Sequence, residues 1–200
     1  MAQETALRWA FWLLMALVLV MRAYFAYRVK RSGERVMPDR AAVEREGRGA
    51  FAVRFVGFFA LLGFLVLYGI HPAWMRRIEF TLPLCLRWAG IGLGLVSLAF
   101  WTWVQVELGK HWSAQLQLRA EHHLVTIGPY ARIRHPMYTA MLGWAVSLAL
   151  VSANWVFVFM VALTAAMMVS RAPKEEQMMI EQFGDEYREY MSRTGRFWPR

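Results

Sequence analysis

The run MYTAMLGWAVSLALVSANWVFVFMVALTAAMMVS, residues 137–170, decides how this chain is built. As one unbroken helix it would reach about 51 Å at 1.5 Å per residue, well beyond a hydrocarbon core of ~30 Å. A break is required. Ser152, Ala153 and Asn154 form the polar interruption, and turn-forming Ser and Asn there predict a helical hairpin of two short arms. Each arm is slightly short for a full crossing, which leaves two readings, local thinning of the bilayer or a hairpin that spans it incompletely.

Upstream, apolar runs at residues 7–27, 51–70 and 82–106 are each long enough to span. The first has a weakly basic start, with only Glu4 and Arg8, and bulky residues around Arg22 and Tyr24 where a small-residue cleavage site belongs, so it reads as a retained anchor rather than a signal peptide. His71 and Pro72 close the second run. Arg22 and Arg87 lie near span ends, where snorkelling to the interface is the ordinary reading. Gly90, Gly92 and Gly94 put small residues on the third span and permit close helix contact, within one chain or between two.

Composition agrees with a membrane protein. Hydrophobic residues make up 58% and charged ones 18%, with 10 Trp, 13 Phe and 7 Tyr, which excludes a water-soluble globule, a disordered chain and a collagen-like one. The single cysteine, Cys85, excludes an internal disulfide framework and a cysteine-based zinc finger. The net charge of +9 raises the question of nucleic acid. However, residues 28–54 hold eight Lys and Arg, residues 110–134 four and residues 171–200 six, so most basic residues flank three linkers in the pattern that sets membrane orientation. No nucleic-acid partner is expected. The expected fold class is an all-α integral membrane protein of about five transmembrane helices, the last two a hairpin, with a cytosolic amphipathic C-terminal helix. The N-terminus is expected outside, and the basic loop 28–54, the linker after the third span and the C-terminus in the cytosol.

The polar residues converge on either flank of the hairpin. Before it lie Gln115, His122, His123, Tyr130, Arg134 and His135. Gly128-Pro129 is turn chemistry, and His135-Pro136 keeps His135 out of the α region while Pro136 opens a helix. After it lie Arg171, Pro173, Glu175 and Glu176, with Pro173 suited to open another helix. On that helix Glu175, Met179, Phe183 and Tyr187 recur every four residues, a stripe expected to carry Glu175 inward. Blander readings stand beside these. The glutamates serve equally as helix-start charges, His122 and His123 as interfacial polar groups, and Arg132, Arg134 and Arg171 as topology determinants. No metal site is expected, since no histidine pair has helical ligand spacing and HExxH is absent.

The ordered motifs Gly128-Pro-Tyr130, Arg134-His135-Pro136-Met-Tyr138, Arg171 with Glu175-Glu176, and Phe183-Gly184 with Tyr187 and Tyr190 resemble those of the isoprenylcysteine carboxyl methyltransferase family. They are also similar to related membrane phospholipid methyltransferases. The resemblance covers residues 115–199. It implies a membrane-embedded, S-adenosylmethionine-dependent methyltransferase whose cofactor pocket lies at the cytosolic ends of the last helices, within residues 107–200, behind three N-terminal spans in residues 1–106. Residue by residue, it implies that Gln115, His122, His123, Leu124, Val125, Tyr130, His135, Pro136, Met137, Tyr138 and Glu175 contact the cofactor. It places Arg171 near the methyl acceptor and makes Arg171, Glu175 and His135 the expected catalytic residues.

The residue types suit that ligand. S-adenosylmethionine needs acceptors for its amino group and ribose, a donor for its carboxylate and a slot for adenine, and the segment supplies each. In-line methyl transfer rests on alignment and desolvation and needs no nucleophilic protein residue. The acceptor is expected to be lipidic, a prenylated cysteine foremost, reaching the site laterally from the bilayer among membrane lipids. Competing readings are a phospholipid or other lipid N- or O-methyltransferase, a sterol-type reductase using NADPH, and a non-enzymatic scaffold. The expected residence is a bacterial inner membrane. Residues 29–48 carry no recognisable motif.

Overall fold

In the computed structural model, residues 2–31, 48–108 and 124–200 are described, and their regular structure is helical. The helices are α1 (Ala2–Arg31), α2 (Arg48–Ile70), α3 (Leu84–Leu108), α4 (Pro136–Ser152), α5 (Trp155–Phe183) and α6 (Asp185–Arg193), with short 3-10 turns at Ala73–Ile78 and Gly128–Ala131. Isolated backbone bridges join Glu79 to Asn154 and Ile133 to Gly195. Among the described residues three helices, α1, α3 and α5, are long and apolar enough to cross a membrane. The helix α4, at 17 residues, extends about 26 Å. Large apolar side chains such as Trp9, Leu19, Val66, Val96 and Phe159 point outward, as expected where the surroundings are lipid rather than water.

The hairpin breaks where its polar residues predict. Ala153 ends α4 in the left-handed region at φ 48°, and Asn154 opens α5, its side-chain oxygen accepting from the Val156 amide at 2.9 Å. The second arm differs from expectation: α5 continues unbroken for 29 residues with Pro173 inside it. Pro173 costs one backbone hydrogen bond, but it lies exposed where the helix has left the apolar run, so its ring meets no neighbouring element. Gly184, at φ 56°, then ends the helix, its amide donating to the Ile180 carbonyl.

Close packing of small residues joins α3 to α4. A Cβ at Gly90 would meet Leu150 and Val151, one at Gly94 would strike Ser147 and Leu14, and one at Gly143 would reach Ser97 Oγ. Gly92 faces open space. Gly90, Gly94 and Gly143 therefore serve contact within this chain. On α1, Leu7, Phe11, Leu14, Val18, Met21 and Phe25 form one buried stripe at helical spacing. Phe11, Tyr68 and Phe157 link α1, α2 and α5 through ring pairs 4.6 to 5.4 Å apart.

The end of the bundle at the hairpin tip is pinned by polar contacts. Arg87 does not snorkel. It is buried, its Nε and Nη2 both donate to the Val151 carbonyl near the end of α4, and its Nη1 pairs with Glu4 at 2.5 Å. The last carbonyls of a helix need such donors, and this one comes from the start of α3. The Phe80 amide donates to the Ala153 carbonyl at 2.9 Å, and Arg8 caps the end of α2 through Tyr68 and Gly69 carbonyls. The two flanks of the hairpin therefore emerge together at the opposite end.

Candidate functional site

The approach to α4 is shaped by Gly128. Its φ is +57°, and a Cβ there would meet the Glu107 side chain at 2.7 Å, so glycine alone lets this turn sit against the end of α3. Beyond it the chain runs beside its own C-terminal segment. The Arg134 amide donates to Gly195, the Gly195 amide to Arg132 and the His135 amide to Arg196, at 2.9 to 3.0 Å. Pro136 occupies the first turn of α4 and leaves His135 at the helix entrance. Thr139 Oγ1 donates to the Phe197 carbonyl at 2.6 Å, and the Phe197 ring lies 5.9 Å from that of His135.

Against this rim the polar end of α5 brings two carboxylates with different surroundings. Glu175 is a quarter exposed. Its Oε1 accepts from the Tyr138 hydroxyl at 2.7 Å and from Arg171 at 3.3 Å, and its Oε2 lies 3.5 Å from His135 Nδ1. Glu176, its side chain only 4% exposed, accepts from Arg134 Nε at 2.9 Å and from two nitrogens of Arg196, and lies 3.4 Å from His135 Nε2. Arg134 in turn donates to the carbonyls of Met191 and Thr194. A buried carboxylate is tolerable only when paired this fully. Both carboxylates thus turn toward the rim: Glu175 joins the cluster, as the four-residue stripe suggested, and Glu176 is the more deeply buried. Three members of that stripe, Glu175, Met179 and Phe183, lie half-buried within α5, and Tyr187 beyond Gly184 is buried.

The imidazole of His135 lies between the two carboxylates and stacks on Tyr138, with ring centroids 5.6 Å apart and planes at 18°. Burial opposes a charge on this ring, but Glu175 and Glu176 outweigh it and hold its pKa above the ordinary histidine value. Tyr190, on α6, donates its hydroxyl to the Tyr130 carbonyl at 2.7 Å, and burial pushes its pKa up to about 12.

Of the residues expected at the site, His135, Tyr138, Arg171 and Glu175 meet in one cluster. Pro136 is fully buried beneath it, and Met137 packs on the bundle core. Tyr130 joins through its carbonyl. Leu124 and Val125 lie half-buried in the irregular stretch before Gly128. Gln115, His122 and His123 lie outside the described residues. Arg134 and Glu176 are a brace, each satisfied by protein partners. Arg196, Phe197 and Thr194 were not singled out by the sequence reading, although they hold the rim. Their only signal was Gly195, which follows a short amphipathic helix. Among the described residues no group of three or more His, Cys, Asp and Glu converges where a metal could sit. An open concavity of about 410 Å³ between Thr5, Trp9, Trp12 and His71 lies at the hairpin-tip end, away from this cluster.

Residues 90–181 match the model of the isoprenylcysteine carboxyl methyltransferase (ICMT) family. The chain is 34% identical over 75 residues to the protein-S-isoprenylcysteine O-methyltransferase of Schizosaccharomyces pombe, covering 37% of this chain and 32% of that one. It is 29% identical over 153 residues to the cobalt-zinc-cadmium resistance protein CzcN of Cupriavidus metallidurans, covering 70% and 68%. The fold is similar to that of the solved eukaryotic intramembrane Ras methyltransferase ICMT, with a TM-score of 0.55 at 21% identity over 74% of this chain and 52% of that one. This chain thus spans about half the length of that solved protein and a third of the fission-yeast relative.

Proposed function

This chain belongs to the isoprenylcysteine carboxyl methyltransferase family, and on that premise we propose that it transfers a methyl group from S-adenosylmethionine to a lipidic acceptor, foremost the carboxylate of a prenylated cysteine. The observation that carries the reading is the convergence of His135 and Tyr138, at the start of the hairpin, with Arg171 and Glu175, at its end. The cluster offers what the cofactor's polar groups require: a partly exposed carboxylate for an ammonium or ribose hydroxyls, and an arginine and a histidine for carboxylates. Gln115 and residues 122–125 are proposed to complete the cofactor contacts.

S-adenosylmethionine supplies an electrophilic methyl group on a sulfonium. The task left to the protein is to align an oxygen nucleophile with that methyl and to keep water out. Tyr138 and Arg171 hold Glu175 in place, and Arg171 also faces an incoming anion. A carboxylate acceptor attacks without losing a proton, so no general base is needed. The two carboxylates beside His135 favour its charged form, the form that donates to an incoming carboxylate.

The test is a product assay with purified protein, labelled cofactor and either a prenylated cysteine analogue or extracted membrane lipid. A base-labile methyl ester on the prenylated substrate is expected. A base-stable methylamine would replace this reading with a lipid N-methyltransferase, and binding of NADPH in place of S-adenosylmethionine would replace it with a reductase.

A further inference from the structure

Among the described residues, Gln105 is the side-chain amide buried with both of its polar atoms unpaired, and the proposed chemistry does not use it. It is 2% exposed, yet no described group hydrogen-bonds to either atom of its amide. Leaving both ends of an amide unpaired in an apolar interior is destabilising, and a leucine of similar size would fit there at less cost. An amide kept in such a place needs a partner that arrives later.

The register of α3 against α4 says where that partner would sit. Gly90 meets Leu150 and Val151, Gly94 meets Ser147, and Ser97 meets Gly143. Trp101 then pairs with Trp144, ring centroids 6.4 Å apart. One turn further along α3, the same antiparallel progression brings Gln105 level with the start of α4 near Pro136. The amide therefore lies at the depth where α4 enters the cluster, on the face of α4 that α3 covers. Arg171 and Glu175, proposed to hold the cofactor, lie on α5, the other neighbour of α4.

An amide presents an N–H beside an oxygen, so its complement presents an acceptor beside a donor. The free carboxylate of an S-prenylated cysteine, with its own amide N–H one bond away from the same carbon, is such a group. It would also reach this depth from the bilayer. We propose that Gln105 recognises the polar end of the lipidic acceptor, its amide N–H donating to the carboxylate and its amide oxygen accepting from the neighbouring N–H. This deepens the methyl-transfer reading above and rests on it.

The experiment compares the full-length protein with Gln105→Leu and Gln105→Asn in detergent, using S-adenosylhomocysteine and an N-blocked S-farnesylcysteine as separate binding probes. Gln105→Leu is expected to melt no lower than the parent without ligand and to keep its affinity for S-adenosylhomocysteine. Its affinity for the farnesylcysteine is expected to fall by roughly tenfold to a hundredfold, the loss of hydrogen bonds to a charged group. Gln105→Asn, which retains the amide, should recover part of that loss. Unchanged farnesylcysteine binding would overturn the assignment, as would a loss confined to S-adenosylhomocysteine, which would move Gln105 to the cofactor. A lower melting temperature with no selective loss would make it a structural residue. If the parent protein binds S-adenosylhomocysteine but no farnesylcysteine, the acceptor reading itself fails; if it binds neither, the methyl-transfer reading fails too.

Discussion

The hydroxyl of Tyr190 donates to the carbonyl of Tyr130, closing a gap of 60 residues that includes the whole hairpin. One bond thereby joins the two polar flanks at a single rim. A membrane protein in which the hairpin crossed only once would hold these residues on opposite faces.

Single cysteines placed at exposed Arg132 and Glu189 should accordingly react with an impermeant thiol reagent from the same side of sealed vesicles. The native Cys85, exposed at the start of α3 near the hairpin tip, should react only from the other side. Reaction of the two introduced cysteines from opposite sides would dismantle the site.

Glu175→Gln removes the charge from the carboxylate that Tyr138 and Arg171 orient, and it leaves the brace intact. Affinity for S-adenosylhomocysteine should weaken by roughly 1 to 3 kcal/mol, with little change in melting temperature. Calorimetric titration reads the first and thermal unfolding the second. Full-strength binding would remove Glu175 from the pocket.

Glu176→Gln should behave in the opposite way. It strands Arg134 and Arg196 around a neutral group, and breaking a buried pair of this kind costs about 3 to 5 kcal/mol of stability. Arg196→Met should cost far less, near 0 to 1 kcal/mol, because that guanidinium is 43% exposed and Arg134 and His135 still face the carboxylate. A Glu176→Gln protein that melts like the parent would refute the bracing role.

The raised pKa of His135 makes stability depend on pH in a defined direction. The folded protein holds the proton more tightly than the unfolded chain, so the stabilisation is complete below the unfolded histidine value of about 6.5 and is lost as pH rises through the higher folded value. Melting temperature should therefore fall on going from mildly acidic to mildly alkaline buffer, and His135→Asn should flatten that slope. A slope of the opposite sign would show that burial, not the carboxylates, governs the ring.

Much of this was legible because single residues carry strong local chemistry. Asn154 in an apolar run marks the hairpin, Pro136 marks the start of α4, and the order of His135, Tyr138, Arg171 and Glu175 marks the cluster. What escaped the sequence reading depends on tertiary contact or on helix phase. Arg87 looks like any charged residue near a span end until the Val151 carbonyl is seen waiting for it. Pro173 reads as a helix start because nothing in its neighbours reveals that a long helix is already running. Which of Glu175 and Glu176 is the more deeply buried turns on about 100° of rotation, which spacing alone cannot set. Arg196 and Phe197 matter only because residues 194–197 fold back along the entrance to α4.

The uninterrupted course of α5 from its Asn154 cap to Gly184 has a mechanical meaning. The greasy arm acts as a screw thread whose far end carries Glu175 and Glu176, and the tip is bolted in place by Arg87. One residue added or removed between Trp155 and Ser170 would turn both carboxylates by about 100° and shift them by about 1.5 Å. At its outward positions, such as Phe159 and Leu163, composition along that arm can drift among apolar residues, but its residue count cannot. In most spans the bilayer forgives such a change by tilt; here the gauge is set by the chemistry at the top.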